Sequence, residues 1–146
     1  MKFVLLFFGI ILSLSGCSVT PTPKDNYANA SIKLNAMFDE ELAAYKAAPS
    51  CGDKHAADIA YLAHYGLNQN SALLPTLASS EGFEMNRDTS FVFAQKLLQL
   101  GDAQVSKGCY AEAKKTYLDV IDTMTGSAYA SLREHAEASI ASMPRT

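Results

Sequence analysis

The 146-residue chain has little of what catalysis or nucleic-acid binding requires. It contains three histidines and no His-Glu-x-x-His pair, no Gly-x-Ser-x-Gly turn to present a nucleophile, and no glycine-rich loop to cradle phosphate. Lys and Arg are nowhere clustered and the formal charge is −3, so nucleic acid is not an expected partner. The only β-like triplet, Phe91-Val92-Phe93, lies inside a helical period, so no sheet is expected. The longest apolar run, from Phe3 to Leu12, is too short for a spanning helix, which needs about 20 residues.

What titratable chemistry exists is scattered. His55 and Asp58 share a helix face at i, i+3, but His64 is turned away from them. His135 lies in Glu134-His135-Ala136-Glu137, which reads as a solvated face, as do Asp39/Glu40/Glu41 and Glu81/Glu84. No catalytic residue, metal ligand set or cofactor is expected, and the chain is not read as an enzyme.

The N-terminus is the most specific segment. Met1-Lys2, the apolar run and then Leu14-Ser15-Gly16-Cys17 form a charged start, an apolar core and small residues leading into a cysteine. This resembles a bacterial lipoprotein signal with its lipobox. The resemblance implies removal of residues 1–16 and acyl chains on Cys17, with membrane attachment through those chains. Ser18, rather than Asp, after that cysteine implies the periplasmic face of the outer membrane in a Gram-negative envelope. In a Gram-positive cell it would imply the outer face of the single membrane. The mature chain of about 130 residues suits one domain and carries 11 basic against 15 acidic residues. Cys51 and Cys109 then remain in a compartment where disulfides persist. A Cys51–Cys109 bridge is the simplest expectation, with two buried thiols the alternative. The bridge would contribute roughly 4 kcal/mol through chain entropy.

Residues 17–30 read as the lipidated terminus and a tether, extended around Pro21 and Pro23. Residues 31–146 read as one all-α domain, a short stack or bundle of helical hairpins with about six helices. Leu34, Phe38, Leu42 and Tyr45 form a first stripe that ends before Pro49. Asp53 caps a second helix carrying Ile59, Leu62 and Tyr65, stopped at Gly66. Ser71 starts a short third helix through Leu74 and Leu77, and 82–87 form a loop. Asp88 or Thr89 caps a fourth helix carrying Phe91, Ala94, Leu98 and Val105, ended by Gly108. A fifth carries Ala113, Tyr117, Val120, Ile121 and Met124. A sixth, capped by Ser127, turns Tyr129, Leu132, Ala136 and Ile140 inward. For the tyrosines Tyr27, Tyr45, Tyr61 and Tyr65, helical spacing favours core packing.

From Ala94 to Ser127, Leu97, Leu100-Gly101, Gly108, Tyr110, Ala113 and Tyr117 stand at spacings that resemble a tetratricopeptide repeat. Gln104, Val120 and Thr125 depart from its pattern. The resemblance implies close helix crossing at Gly101 and Ala113, with a left-handed turn at Gly108. Such units bury their faces on neighbours, so Leu34 to Tyr65 would be a first hairpin and Ser127 to Ser142 a capping helix. Both cysteines would then fall in hairpin turns. By position, the resemblance puts Gln95, Leu98, Asp102, Val105 and Ser106 in a peptide-binding groove. The family's carboxylate clamp is absent, since Leu98 and Asp102 occupy its key positions.

The function expected from these readings is a lipid-anchored adaptor or assembly factor for an envelope complex, similar in layout to the pilotins. Its partner would be an envelope protein. The alternative is an envelope enzyme, or an inhibitor or immunity lipoprotein.

Overall fold

A computed structural model describes residues 23–73 and 80–144. Among them are five α-helices and one short 3-10 turn, and no strand. The helices are α1 (Pro23–Ala47), α2 (Lys54–Leu73), α3 (Ser80–Ser106), α4 (Tyr110–Thr123) and α5 (Ala130–Ser142). The 3-10 turn, Ser127–Tyr129, leads into α5. None of the described helices is long and apolar enough to cross a membrane. Cys17 and the lipobox lie outside the described residues, as do Leu74 and Leu77 of the expected third helix.

Each helix packs on the next, and α1 and α5 both also touch α3. The result is two antiparallel hairpins, α1–α2 and α3–α4, with α5 laid against the second. Lys96 pairs with Asp39 at 2.6 Å, and Lys107 reaches Tyr45, Ala48 and Ser50 further along. Both contacts advance in the same chain direction, so α1 and α3 run parallel, one on each hairpin.

The core is one cluster centred on α3. Phe38 and Tyr45 from α1, Ile59, Leu62, Ala63 and Leu67 from α2, and Tyr117 and Val120 from α4 close around Phe93, Leu97 and Leu100. Leu132 and Ala136 of α5 complete it. Two glycines set the closest approaches. A Cβ at Gly66 would lie 2.5 Å from the Phe93 ring, and one at Gly101 would lie 2.6 Å from the Tyr117 ring. Each glycine therefore gives an aromatic ring the space of its missing side chain.

Several sequence expectations are corrected. Helix α1 begins at Pro23, so residues 23–30 are helical rather than extended. Proline is tolerated in a first turn, where its missing N–H has no helical partner. Gly66 does not stop α2, which runs to Leu73 with Ser71 inside it; its role is to admit Phe93. Residues 82–87 belong to α3, and Asp88 pairs with Arg87 on that helix instead of capping it. Ser127 makes no side-chain cap, and α5 starts at Ala130 after the 3-10 turn. Tyr45 is fully buried, but Tyr61 and Tyr65 are 68% and 44% exposed and stack on one another, with Ala63 and Leu67 turned inward in their place. The side chain of Tyr27 lies outside the described set.

The terminations follow from local chemistry. Asp53 Oδ1 accepts the His55 N–H at 2.9 Å, the expected N-cap of α2. At the end of α3, Gly108 adopts φ +75°, which lets the Cys109 N–H reach Gln104 O at 2.8 Å. Two helices are closed by basic side chains from later elements. Lys107 Nζ donates to Tyr45 O, Ala48 O and Ser50 O at 3.0, 2.8 and 3.0 Å, capping α1. Arg133 donates to Met124 O and Gly126 O beyond α4. Each places a cation at the negative end of a helix dipole.

Candidate functional site

The α1–α2 turn and the α3–α4 turn meet at one end of the molecule. Cys51 and Cys109 stand there with Sγ atoms 2.06 Å apart and Cα atoms 5.5 Å apart, closing a separation of 58 residues. Beside them Lys107 Nζ sits 4.0 Å from the centroid of the Tyr45 ring, and the Tyr45 hydroxyl donates to Cys51 O at 3.3 Å. Burial, with Glu112 and Asp53 nearby, pushes the Tyr45 hydroxyl above its ordinary pKa, so it remains a donor. The turn that follows α1 is thus held covalently, by charge-assisted hydrogen bonds and by an aromatic contact.

A cleft of about 420 Å³ opens next to this knot, between the parallel helices α1 and α3. Leu42 and Lys46 line it from α1, and Gln99, Asp102, Ala103 and Ser106 from α3. Leu42 and Ala103 give it an apolar base, and the other four residues give it donors and acceptors. A second hollow of about 530 Å³ lies between α4 and the end of α5, lined by Tyr110, Lys114, Ile140 and Met143 among others.

Asp102 does more than line the cleft. Its Oδ1 accepts the Tyr117 hydroxyl of α4 at 2.6 Å and faces His135 Nε2 of α5 at 3.2 Å. One carboxylate therefore ties α3 to both following helices. Burial and this hydrogen bond push the Tyr117 hydroxyl up to about 12, despite a contact with Ser139 that works the other way. Gln104, out of pattern in the repeat resemblance, is buried with its side-chain oxygen accepting the Thr116 hydroxyl at 2.8 Å. The polar side chain is tolerated because it is satisfied.

The five residues expected in a groove separate into two groups. Asp102 and Ser106 line the α1–α3 cleft, and Gln95 is exposed on the same stripe of α3. Leu98 is only 5% exposed and belongs to the core, and Val105 is half-buried against it. The exposed stripe runs 95, 99, 102, 106, one residue around the helix from Leu98 and Val105. Leu98 is thus corrected from groove to core, because α2 and α4 both cover α3 and leave only a narrow strip uncovered. Sequence reasoning missed Gln99 on that strip, and it missed Leu42 and Lys46 across the cleft. Gln99 was within reach, since it shares the period of Gln95, Asp102 and Ser106. The two α1 residues were not, because nothing in the sequence states which α1 face meets α3.

All three histidines bridge helices through a carboxylate. His55 Nδ1 meets Glu41 Oε2 at 2.6 Å across the first hairpin, and His64 Nε2 meets Asp119 Oδ2 at 2.7 Å between α2 and α4. His135 meets Asp102 between α5 and α3. His135 is exposed, as its charged neighbours suggested, yet it has a partner on another helix. Comparison with protein-family models, curated proteins and solved structures gives no match to this chain.

Proposed function

We propose that the protein is a lipid-anchored adaptor or assembly factor of a bacterial cell envelope, which holds a segment of an envelope protein in the cleft between α1 and α3. The observation that carries this reading is the cleft itself. It offers an apolar base of Leu42 and Ala103 with Lys46, Gln99, Asp102 and Ser106 around it. That lining suits a peptide, whose backbone needs donors and acceptors and whose side chains need an apolar contact. The knot of Cys51–Cys109 and Lys107 beside it fixes the spacing of α1 and α3 before a partner arrives, which lowers the ordering cost of binding. The anchor rests on the lipobox resemblance at Leu14 to Cys17.

The test is site-specific photocrosslinking in intact envelopes. A crosslinker at Gln99 or Ser106 is expected to capture one discrete protein species, and one at Leu118, exposed on α4, is expected not to. Arg at both Gln99 and Ser106 should abolish capture by a crosslinker at Lys46 while leaving the circular dichroism spectrum unchanged. Equal capture from Leu118, or undiminished capture in the double variant, would place the binding surface elsewhere. Independently, Cys17→Ala should abolish incorporation of labelled fatty acid, and retained labelling would remove the lipid anchor from the proposal.

A further inference from the structure

Glu41, His55 and Asp58 come together near the turn of the first hairpin. His55 sits in the first turn of α2 and Asp58 three residues later on the same face. Glu41 reaches them from α1. One ligand atom from each of the three lies within 4.8 Å of the other two. We propose that these residues form a binding site for a divalent transition-metal ion of the zinc class, clasping α1 to α2 with one imidazole nitrogen and two carboxylate oxygens.

Three observations support the assignment. The first is the donor set: zinc binds imidazole nitrogen and carboxylate oxygen at about 2.0–2.2 Å, so its ligands stand about 3.3–3.6 Å apart. Atoms already within 4.8 Å of one another reach that spacing by side-chain rotation, with both helices held by the packed hairpin. The second is contrast within the molecule. His64 and His135 each face a single carboxylate, but His55 faces Glu41 with Asp58 beside it, and Asp53 Oδ1 lies 3.8 Å from its other nitrogen. The third is charge. Among the described residues, no Lys or Arg forms an ion pair with Glu41, Asp53 or Asp58, and His55 is the basic group that pairs with Glu41 and Asp53. His55 and Glu41 are also partly sequestered, with side chains 23% and 28% exposed, where solvent screens their attraction for a cation less than on an open surface. Asp53 caps α2 through the His55 N–H and so holds the backbone of the ligating turn in place. Three protein ligands leave a fourth position of a tetrahedral ion to water.

The experiment uses the untagged full-length protein in detergent, stripped with a chelator and titrated with zinc chloride by calorimetry at neutral pH. One equivalent is expected to bind, with a rise in melting temperature on saturation. Cobalt(II) is expected to give the visible absorption of a low-coordinate site. His55→Ala and Glu41→Gln should each weaken binding by about tenfold or more, and His64→Ala and His135→Ala should leave it unchanged. Asp58 is exposed, so Asp58→Asn keeps the fold whatever the other variants do. It should melt like the parent without metal and still bind several-fold more weakly. Absence of stoichiometric binding, or affinity unchanged in both His55→Ala and Asp58→Asn, would overturn the site. Neither result bears on the peptide cleft, whose lining residues are different.

Discussion

Lys107→Met isolates the polar half of the knot. Methionine keeps most of the stem against the Tyr45 ring and removes the charge and all three donors. Ser50 is exposed, so water replaces the lysine at its carbonyl at little cost. Tyr45 is buried and Ala48 half-buried, and their carbonyls lose a charged partner where water is harder to admit. At ~1 kcal/mol for each of these two hydrogen bonds, the loss is about 2 kcal/mol. The cation over the Tyr45 ring adds ~0.5–1 kcal/mol. For a domain of this size, a deficit of about 2.5–3 kcal/mol lowers the melting temperature by about 8–15 °C. The assay is thermal unfolding followed by circular dichroism under non-reducing conditions. Lys114→Met, on the exposed surface of α4, serves as the reference and should shift the melt by no more than ~2 °C. If Lys107→Met melts with that reference, the cap on α1 contributes nothing and the reasoning fails. Because Lys107 and the disulfide hold the same turn, their effects should combine non-additively when both are removed.

Mass spectrometry of the non-reduced protein should recover one Cys51–Cys109 linked peptide, and replacing both cysteines with Ser should cost about 4 kcal/mol in denaturant unfolding, from a separation of 58 residues. Gly66→Ala and Gly101→Ala should each destabilise by about 1–3 kcal/mol in the same assay, although Ala favours a helix by ~1 kcal/mol, because the new methyl meets the Phe93 or Tyr117 ring. Gly52→Ala, with nothing within 4 Å, should be neutral. In an ultraviolet pH titration, Tyr117 should ionise near 12. Its folded-state value is raised, so the stability linked to it is fully present below the unfolded value of about 10 and is lost as pH rises through 12. Tyr117→Phe should flatten that part of the profile, and an unchanged profile would separate Tyr117 from alkaline unfolding.

The parts of the fold legible in the sequence are those where one face of a helix meets one neighbour. The stripes through Ala113, Tyr117 and Val120 in α4, and through Leu132 and Ala136 in α5, are buried as their spacing implies. With Cys17 set aside on the lipobox resemblance, one cysteine pairing was left to expect, and Cys51 and Cys109 stand at bonding distance. Helix α3 was harder because it is covered from several sides. Phe93, Leu97, Leu98 and Leu100 are all buried, so apolar periodicity could not tell core from groove, and the uncovered stripe is marked only by Gln95, Gln99, Asp102 and Ser106. Glycine was ambiguous for a related reason. Gly66 and Gly108 look alike in sequence, but one sits under an aromatic ring and the other takes positive φ. The His55 cluster was half legible: Asp58 shares its helix, but Glu41 arrives through the hairpin, and no local spacing encodes that approach.

The position of the knot bears on the proposed role. Helix α1 has 25 residues, which at 1.5 Å each makes it about 37 Å long. Cys17 precedes its first residue, Pro23, and the Lys107 cap and the disulfide close its far end. Leu42 and Lys46 therefore lie about 28 and about 34 Å along the helix from its start. A lipid on Cys17 would be separated from the cleft by most of the length of α1, enough to set the binding surface clear of the headgroups when the helix stands away from the membrane. In the proposed role, the covalent fastening lies at the end of α1 away from the lipid. Tension on a lipid-anchored α1 would pull along that helix, and besides the packing of Phe38 on Phe93 its separation from α3 is resisted by the disulfide, the Lys107 cap and the Asp39–Lys96 pair. Of these, the exposed ion pair is the weakest. The covalent bond and the lysine cap stand next to the cleft, where a change in spacing between α1 and α3 would alter the surface offered to a partner.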